Sequence, residues 1–381
     1  MTTNFKSNDN IVQDMNSIDY FPISFEELEN KAKQTLSAPA FSYIFSGAGG
    51  EETMRKNAAA FEKYSIVPRF LHDVSNIDPG ITLFGRTYPS PLLLSPVGVL
   101  KLANEMGDIA AARAAAKHQI PFIQSTVSSY SIEDVAQATN GSPKWFQLYW
   151  SNQEEISFNM VKRAEKAGYE AIVLTVDTIT LGWREADMRH GFSPLALGYG
   201  QGNYESDKVF LSTLEKYDSE AILQGIIDNI NHPALNWRHV AKLKERTSLP
   251  ILLKGILHPE DALLAMEHGV DGIIVSNHGG RQLDGVISSI DALRDIVKSV
   301  NGKIPVLYDS GIRRGIDALK VLALGADAVL IGRPFVYSLA VGGEAGVHQY
   351  LTNFLQDLQT SMMLAGVSTL KELRNLKIVR S

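Results

Sequence analysis

The sequence predicts a closed α/β barrel, the (β/α)8 or TIM barrel, with an N-terminal helical segment and a long insertion after its fourth strand. Three observations carry that expectation. Short apolar runs alternate with helix-like stretches eight times along the chain. The runs lack an alternating polar face, as strands covered on both sides do. Glycine then closes helices just before strand entry, in KAGYEAIVL, EHGVDGIIV and ALGADAVLI. An open doubly wound sheet would usually have fewer strands, so eight units favour closure.

The strands are expected at 92–95, 121–125, 145–149, 171–175, 251–254, 272–276, 305–309 and 328–332. Helical patterns fill 107–118, 132–138, 154–168, 236–247, 259–269, 290–300 and 315–324. Ahead of the barrel one amphipathic helix, 25–36, precedes AFSYIFSGAGGEET. Residues 176–250 separate the fourth and fifth strands and contain the polar stretch RHGFSPLALGYGQGNYESDKVF. An insertion of this length, assigned to 183–235, reads as a lid or a partner contact at the strand C-terminal end. Its GYGQG follows no strand and opens no clear helix, which argues against a dinucleotide loop. Residues 1–20 are polar, lack the apolar centre of a signal peptide, and read as a flexible arm or a subunit contact. Residues 21–381 form a single domain in this reading.

Composition narrows the function. The formal net charge of −6, with no basic stripe, argues against nucleic acid as a partner. With no cysteine, disulfides, thiolate metal sites and cysteine nucleophiles are excluded, in keeping with a reducing cytoplasm. No run approaches the roughly 18 apolar residues of a membrane span. No His/Asp/Glu set repeats at ligand spacing and HEXXH is absent, so no metal is expected.

Polar residues collect at the strand ends that form the active face of such a barrel. The first strand ends Ser95-Pro96-Val97-Gly98 and the second Gln124-Ser125-Thr126. The third carries Gln147 and Tyr149; the fourth carries Thr175 and Asp177, with Arg184 beyond. Lys254 ends the fifth, and the sixth runs into VSNHGGRQLDG, with Ser276, His278 and Arg281. The seventh ends Asp309-Ser310-Gly311 with Arg313, and the eighth Gly332-Arg333-Pro334. His278 with Asp177 suits an oriented general base, against the plainer reading of a structural hydrogen bonder. Lys254 is costly to bury unless it meets an anion. Arg184 and Arg281 suit a bidentate carboxylate clamp. The glycine turns after strands seven and eight suit a phosphate, held on backbone amides or a helix N-terminus. Arg313 and Arg333 could equally be solvated ion-pair partners.

SNHGGRQLDG, with LTVDT…LGWREAD, FQLYW, LLKGI, DSGIRRG and IGRP, resembles the FMN-dependent α-hydroxy acid oxidases and dehydrogenases. The resemblance spans residues 25–376 and implies FMN as cofactor, with a small 2-hydroxy acid and O2 as partners. It implies that His278 takes the substrate proton, with Asp177 bonded to it, and that Tyr149 contacts the substrate oxygen. Arg281, Arg184 and Tyr43 would hold the substrate carboxylate. Lys254 would lie beside the flavin. Pro96, Val97, Gly98, Ser125, Gln147, Thr175 and Ser276 would surround the rest of the ring system. Asp309, Gly311, Arg313, Gly332 and Arg333 would meet ribityl and phosphate. Val127 stands where glycolate oxidase has tryptophan, and SPKWFQLYW, LGWREAD and GRPFVYSLAVGGEAGV resemble lactate-active members. These imply oxidation of L-lactate, by a lactate 2-monooxygenase first and a lactate oxidase or acceptor-linked dehydrogenase next. A flavin-binding barrel without catalysis is the contrasting class. The family pattern further implies a homo-oligomer, tetramer or octamer, and the composition fits a cytoplasmic protein.

Overall fold

The computed structural model describes residues 21–381; the arm expected at 1–20 lies outside them. Among the described residues three helices, not one, precede the barrel: α1 (Phe25–Thr35), α2 (Ala38–Phe45) and α3 (Glu52–Ala59). α1 was legible because Ser24 and Glu27 form a capping box ahead of an apolar stripe. α3 has no local cap. Asp284, far along the chain, accepts from the Glu52 and Thr53 amides at 3.2 and 2.8 Å instead. Asp284→Ala therefore lowers stability by about 0.5–2 kcal/mol, an effect that urea denaturation of the holoprotein measures.

Strand β1 (Tyr64–Val67) pairs antiparallel with the chain's last strand, Lys377–Arg380, tying the segment ahead of the barrel to the C-terminal strand. The hairpin β2 (Ile81–Leu83) and β3 (Arg86–Tyr88) follows. Its Leu83 and Tyr88 pack with the inward side chains of the barrel strands, Leu93, Ile123, Trp145, Val173, Leu252, Ile274, Leu307 and Leu330. The hairpin thus plugs the barrel away from the active face.

The barrel strands are β4 (Leu92–Leu94), β5 (Phe122–Gln124), β6 (Lys144–Leu148) and β7 (Ile172–Thr175), then β8 (Ile251–Ile256), β9 (Gly272–Val275), β10 (Val306–Tyr308) and β11 (Ala328–Ile331). They close in sequence order, β11 pairing back onto β4 through Val329 and Leu92. All eight lie where the apolar runs predict them, because nearly every residue in them is buried. The outer layer consists of α4 (Gly107–Lys117), α5 (Ile132–Thr139), α6 (Glu154–Lys166), α11 (Trp237–Lys244), α12 (Pro259–Glu267), α13 (Ser289–Val300), α14 (Gly315–Ala323) and α15 (Arg333–Ala365). Non-helical backbone at Gly342 and Gly343 breaks α15 in two. The chain ends with α16 (Leu370–Leu373) and β12 (Lys377–Arg380).

The insertion after β7 has two parts of different character. Its first part carries the short helix α7 (Glu185–His190) and exposes Trp183, Met188 and Leu197. Its second part holds α8 (Gly202–Glu205), α9 (Lys208–Leu211) and α10 (Ser219–Ile230), and buries Tyr204, Phe210 and Ile226. Asp207 caps α9 and receives Arg163 of α6 at 3.1 Å, while Asn203 donates to the Ser125 and Thr126 carbonyls at 3.0 Å. The first part buries no residue of α7 and lines the cavity through residues 181–184 and 191–195, as a lid over the barrel mouth would.

Candidate active site

The turn after β9 sets the geometry. His278, Gly279 and Gly280 all have positive φ, 58°, 63° and 76°. Glycine tolerates this conformation, whereas histidine incurs roughly 1–2 kcal/mol of strain. Three hydrogen bonds hold it: His278 N to Ser276 Oγ at 3.0 Å, Gly279 N to Ser310 Oγ at 3.1 Å, and Gly280 N to Asn277 Oδ1 at 3.2 Å. Asn277 is itself locked to Asn57 by reciprocal amide bonds of 2.8 and 2.7 Å.

Held there, His278 donates from Nδ1 to Asp177 Oδ1 at 2.8 Å. Nε2 has no hydrogen-bond partner among the described residues, and the ring lines a cavity of about 1090 Å³. Burial lowers the histidine's pKa; Asp177 opposes that shift and Lys254 reinforces it. Burial alone would raise Asp177, but His278 and Lys254 hold its pKa below the ordinary carboxylate value. A carboxylate anion facing a neutral imidazole fixes the proton on Nδ1 and leaves the Nε2 lone pair free, as a base requires.

Arg281 and Arg184 stand beside this pair. Arg281 donates from Nη1 to the Tyr43 and Ser46 carbonyls at 2.6 and 2.7 Å, and its guanidinium lies 5.0 Å from the Tyr43 ring centre. Arg184 donates from Nε to the Arg281 carbonyl and from Nη2 to Gln282 Oε1, both at 3.2 Å. Burial depresses Arg281 most, followed by the charges of Arg184 and Arg333. Arginine keeps its proton, so this crowding is an unmet demand for an anion. Asp187 of α7 lines the same cavity with a buried Oδ1 that lacks a hydrogen bond, and burial raises its pKa despite both arginines. Tyr149 lines the cavity too; burial raises its pKa, so its hydroxyl stays a donor. Phe192 meets the Tyr43 ring edge-on at 6.2 Å, tying the first part of the insertion to the site.

The remaining expected residues divide into wall and floor. Pro96, Val97, Gly98, Asp309, Gly311 and Gly332 line the cavity, as does Val127. Lys254 lines it as well, donating to Ser276 Oγ at 3.1 Å and facing Asp309 at 3.3 Å. Its burial would favour the neutral amine, but Asp309 and Asp177 outweigh that and raise its pKa. Ser125, Gln147 and Thr175 are not on the wall. They form a buried chain below it, Ser125 Oγ donating to Gln147 Oε1 at 3.1 Å and Gln147 Nε2 to Thr175 Oγ1 at 3.0 Å.

Two readings need correction, the α14 N-terminus as a seat for an anion and the alternative of a solvated Arg333, which lines the cavity. The α14 N-terminus is not open to an anion: Asp317 accepts from the Arg313 and Arg314 amides, and Asp357 from those of Gly315 and Ile316. Nor is Arg333 a free surface cation or ion-pair partner. Its guanidinium donates to the carbonyls of Ile44, Phe45, Ser46 and Gly279 at 2.9–3.1 Å. Arg313 is freer. Its guanidinium rests 4.5 Å from the Phe25 ring centre and makes no hydrogen bond among the described residues. At Gly311 an added Cβ would come within 2.6 Å of the Asn57 carbonyl, so the backbone there passes close beneath the cavity edge. A buried ammonium, a free guanidinium and glycine turns around one large cavity suit an anionic, phosphorylated ring system.

The profile of FMN-dependent dehydrogenases matches residues 32–380. The chain belongs to that family. FMN is its cofactor, and the family oxidises α-hydroxy acids. A curated relative, the L-lactate oxidase of Lysinibacillus sphaericus, is 57% identical over 379 residues, covering 100% of this chain and 98% of the relative. An L-lactate oxidase of Nostoc sp. is 43% identical, covering 92% of this chain and 96% of its own. Among solved structures, mandelate oxidase superposes with a TM-score of 0.86 at 38% identity, covering 94% of this chain and 99% of that one. Lys254 and Arg313 are both cations of the same cavity wall. Sequence reasoning missed Gln282, Asp187, Asn57 and Phe192 as parts of the site. Gln282 stands inside the motif RQLDG, but its partners are apparent only once the loops meet.

Proposed function

We propose that the protein oxidises L-lactate to pyruvate and passes the electrons to O2, giving H2O2. The observation that carries this reading is the His278–Asp177 pair with a free Nε2, set beside Arg184 and Arg281. Bound FMN would accept two electrons from the substrate and deliver them to O2. The two arginines and Tyr43 would hold the carboxylate, Tyr149 would donate to the substrate oxygen, and His278 would take the substrate proton. Asp177 would stabilise the imidazolium so formed. Lys254 would place a positive charge against the flavin. The two relatives named as L-lactate oxidases support pyruvate plus H2O2. The second reading is the monooxygenase outcome, acetate, CO2 and water, which SPKWFQLYW and LGWREAD favour.

Product analysis with L-lactate and O2 tests both. Pyruvate with stoichiometric H2O2 supports the oxidase, and acetate without free peroxide the monooxygenase. A reduced flavin that air reoxidises slowly would indicate an acceptor-linked dehydrogenase. A yellow protein that no 2-hydroxy acid bleaches anaerobically would sink the enzyme reading. Among the described residues no helix is long and apolar enough to cross a membrane. A cytoplasmic tetramer or octamer belongs to the same proposal, and sedimentation of the holoprotein tests the assembly.

The pH dependence follows from the base. Only neutral His278 accepts a proton, so kcat/KM falls as pH falls through its pKa, which burial holds below the ordinary 6.5. Asp177 raises that pKa, so Asp177→Asn moves the acid limb to lower pH as well as reducing the rate. A limb that stays in place in the variant would remove Asp177 from the assignment.

A further inference from the structure

We propose that Gln282 is a positioning residue for this reaction, a strut that sets the proton-accepting pair and the carboxylate clamp in one mutual geometry. The inference rests on the roles given above to His278, Asp177, Arg184 and Arg281. Residues 177–182 leave β7 with no helix or strand of their own, and Ile179 and Leu181 are exposed. Such a segment would ordinarily be mobile. Yet Asp177 and Arg184, at either end of it, must both reach the loop after β9.

Gln282 is 8% exposed and uses both ends of its amide on this segment. Nε2 donates to the Asp177 carbonyl at 3.1 Å and the Thr180 carbonyl at 2.9 Å. Oε1 accepts from the Gly182 amide at 3.3 Å and from Arg184 Nη2 at 3.2 Å. Among the described residues, these are the hydrogen bonds that the backbone of 177–182 makes; the next anchor is Trp183, whose carbonyl accepts from Gly49 N at 2.7 Å. Gly182 completes the contact. An added Cβ there would lie 2.4 Å from the Arg281 carbonyl and 2.7 Å from that of Gln282, so the two loops cross backbone to backbone. The donor half of the amide therefore secures the backbone that carries Asp177, and the acceptor half secures Arg184. An amide carries its two donor hydrogens and its acceptor oxygen on separate atoms, so one side chain serves both.

The halves can be separated by substitution. In Gln282→Met both are lost. Deuterium uptake by residues 177–184 rises, KM for L-lactate rises about tenfold or more through the lost hydrogen bond to a charged group, and the acid limb of kcat/KM moves down as Asp177 loosens from His278. In Gln282→Glu the acceptor for Arg184 and Gly182 remains while an oxygen faces the Asp177 and Thr180 carbonyls. KM recovers, while the acid limb stays displaced. A merely structural glutamine would change the melting temperature without this split. The proposal is overturned by either of two results in the variants: unchanged exchange at 177–184, or a loosened segment with KM and the acid limb unmoved. If Gln282→Met does not fold, the split in Gln282→Glu decides alone. Deuterium uptake needs no turnover, so failure of the unsubstituted protein to oxidise L-lactate would count against the substrate and leave the strut independently readable.

Discussion

His278→Gln is expected to abolish reduction of the flavin by L-lactate while FMN stays bound. A positioned general base contributes about 10²–10⁴-fold to such a step, and a glutamine amide cannot accept a proton at neutral pH. Glutamine can still donate toward Asp177, so the carboxylate is not left as an unpaired buried charge. The positive φ of 58° strains glutamine as it strains histidine, since both carry a Cβ. Lys254, Arg313 and the glycine turns, the groups assigned to the cofactor, remain in place. Anaerobic mixing with L-lactate, followed by flavin absorbance, measures the effect directly. A variant that bleaches at close to the unsubstituted rate would show that His278 is not the base.

Arg281→Met is expected to have the next largest effect. Removing one partner of a buried charge-assisted contact costs about 2–5 kcal/mol, or roughly 30- to several thousand-fold in kcat/KM. Here the loss has two origins. The substrate carboxylate loses a fork of donors, and the Tyr43 and Ser46 carbonyls lose the Nη1 hydrogen bonds that fix the chain after α2. Arg281→Lys should restore little, because an ammonium cannot satisfy two carbonyls and a carboxylate in one plane. Steady-state kinetics over a series of L-lactate concentrations, with FMN content measured in parallel, separates lost substrate binding from lost cofactor. A kcat/KM within about threefold of the unsubstituted protein, against the charge-pair cost expected above, would remove Arg281 from the clamp.

Much of the fold was legible because its signals are local. A strand covered on both faces must be a continuous apolar run, and all eight runs fall on barrel strands. Helix ends marked by a glycine or a capping box were equally visible. Elements stabilised from a distance were not. α3 depends on Asp284, more than two hundred residues away in sequence, and β1 exists because the other end of the chain pairs with it. The plug hairpin β2–β3 is three residues a side, too short for a periodic signal. The insertion read as one polar lid, yet its second part buries Tyr204 and Phe210 against the flank of the barrel.

For the site, the sequence by itself determined which residue types stand at the strand ends and in what order. The motif VSNHGGRQLDG, with the other strand-end motifs, carried the family. Tertiary structure decided what each group does with its hydrogen bonds. It turned Arg333 onto backbone carbonyls and left Arg313 free. It closed the α14 N-terminus with Asp317 and Asp357. It placed Ser125, Gln147 and Thr175 beneath the cavity as a bonded chain, and it gave Gln282 its four contacts. The physical reason is common to all of these. A buried polar group must find a partner, and which partner lies within 3 Å depends on how distant loops cross, which no local pattern encodes.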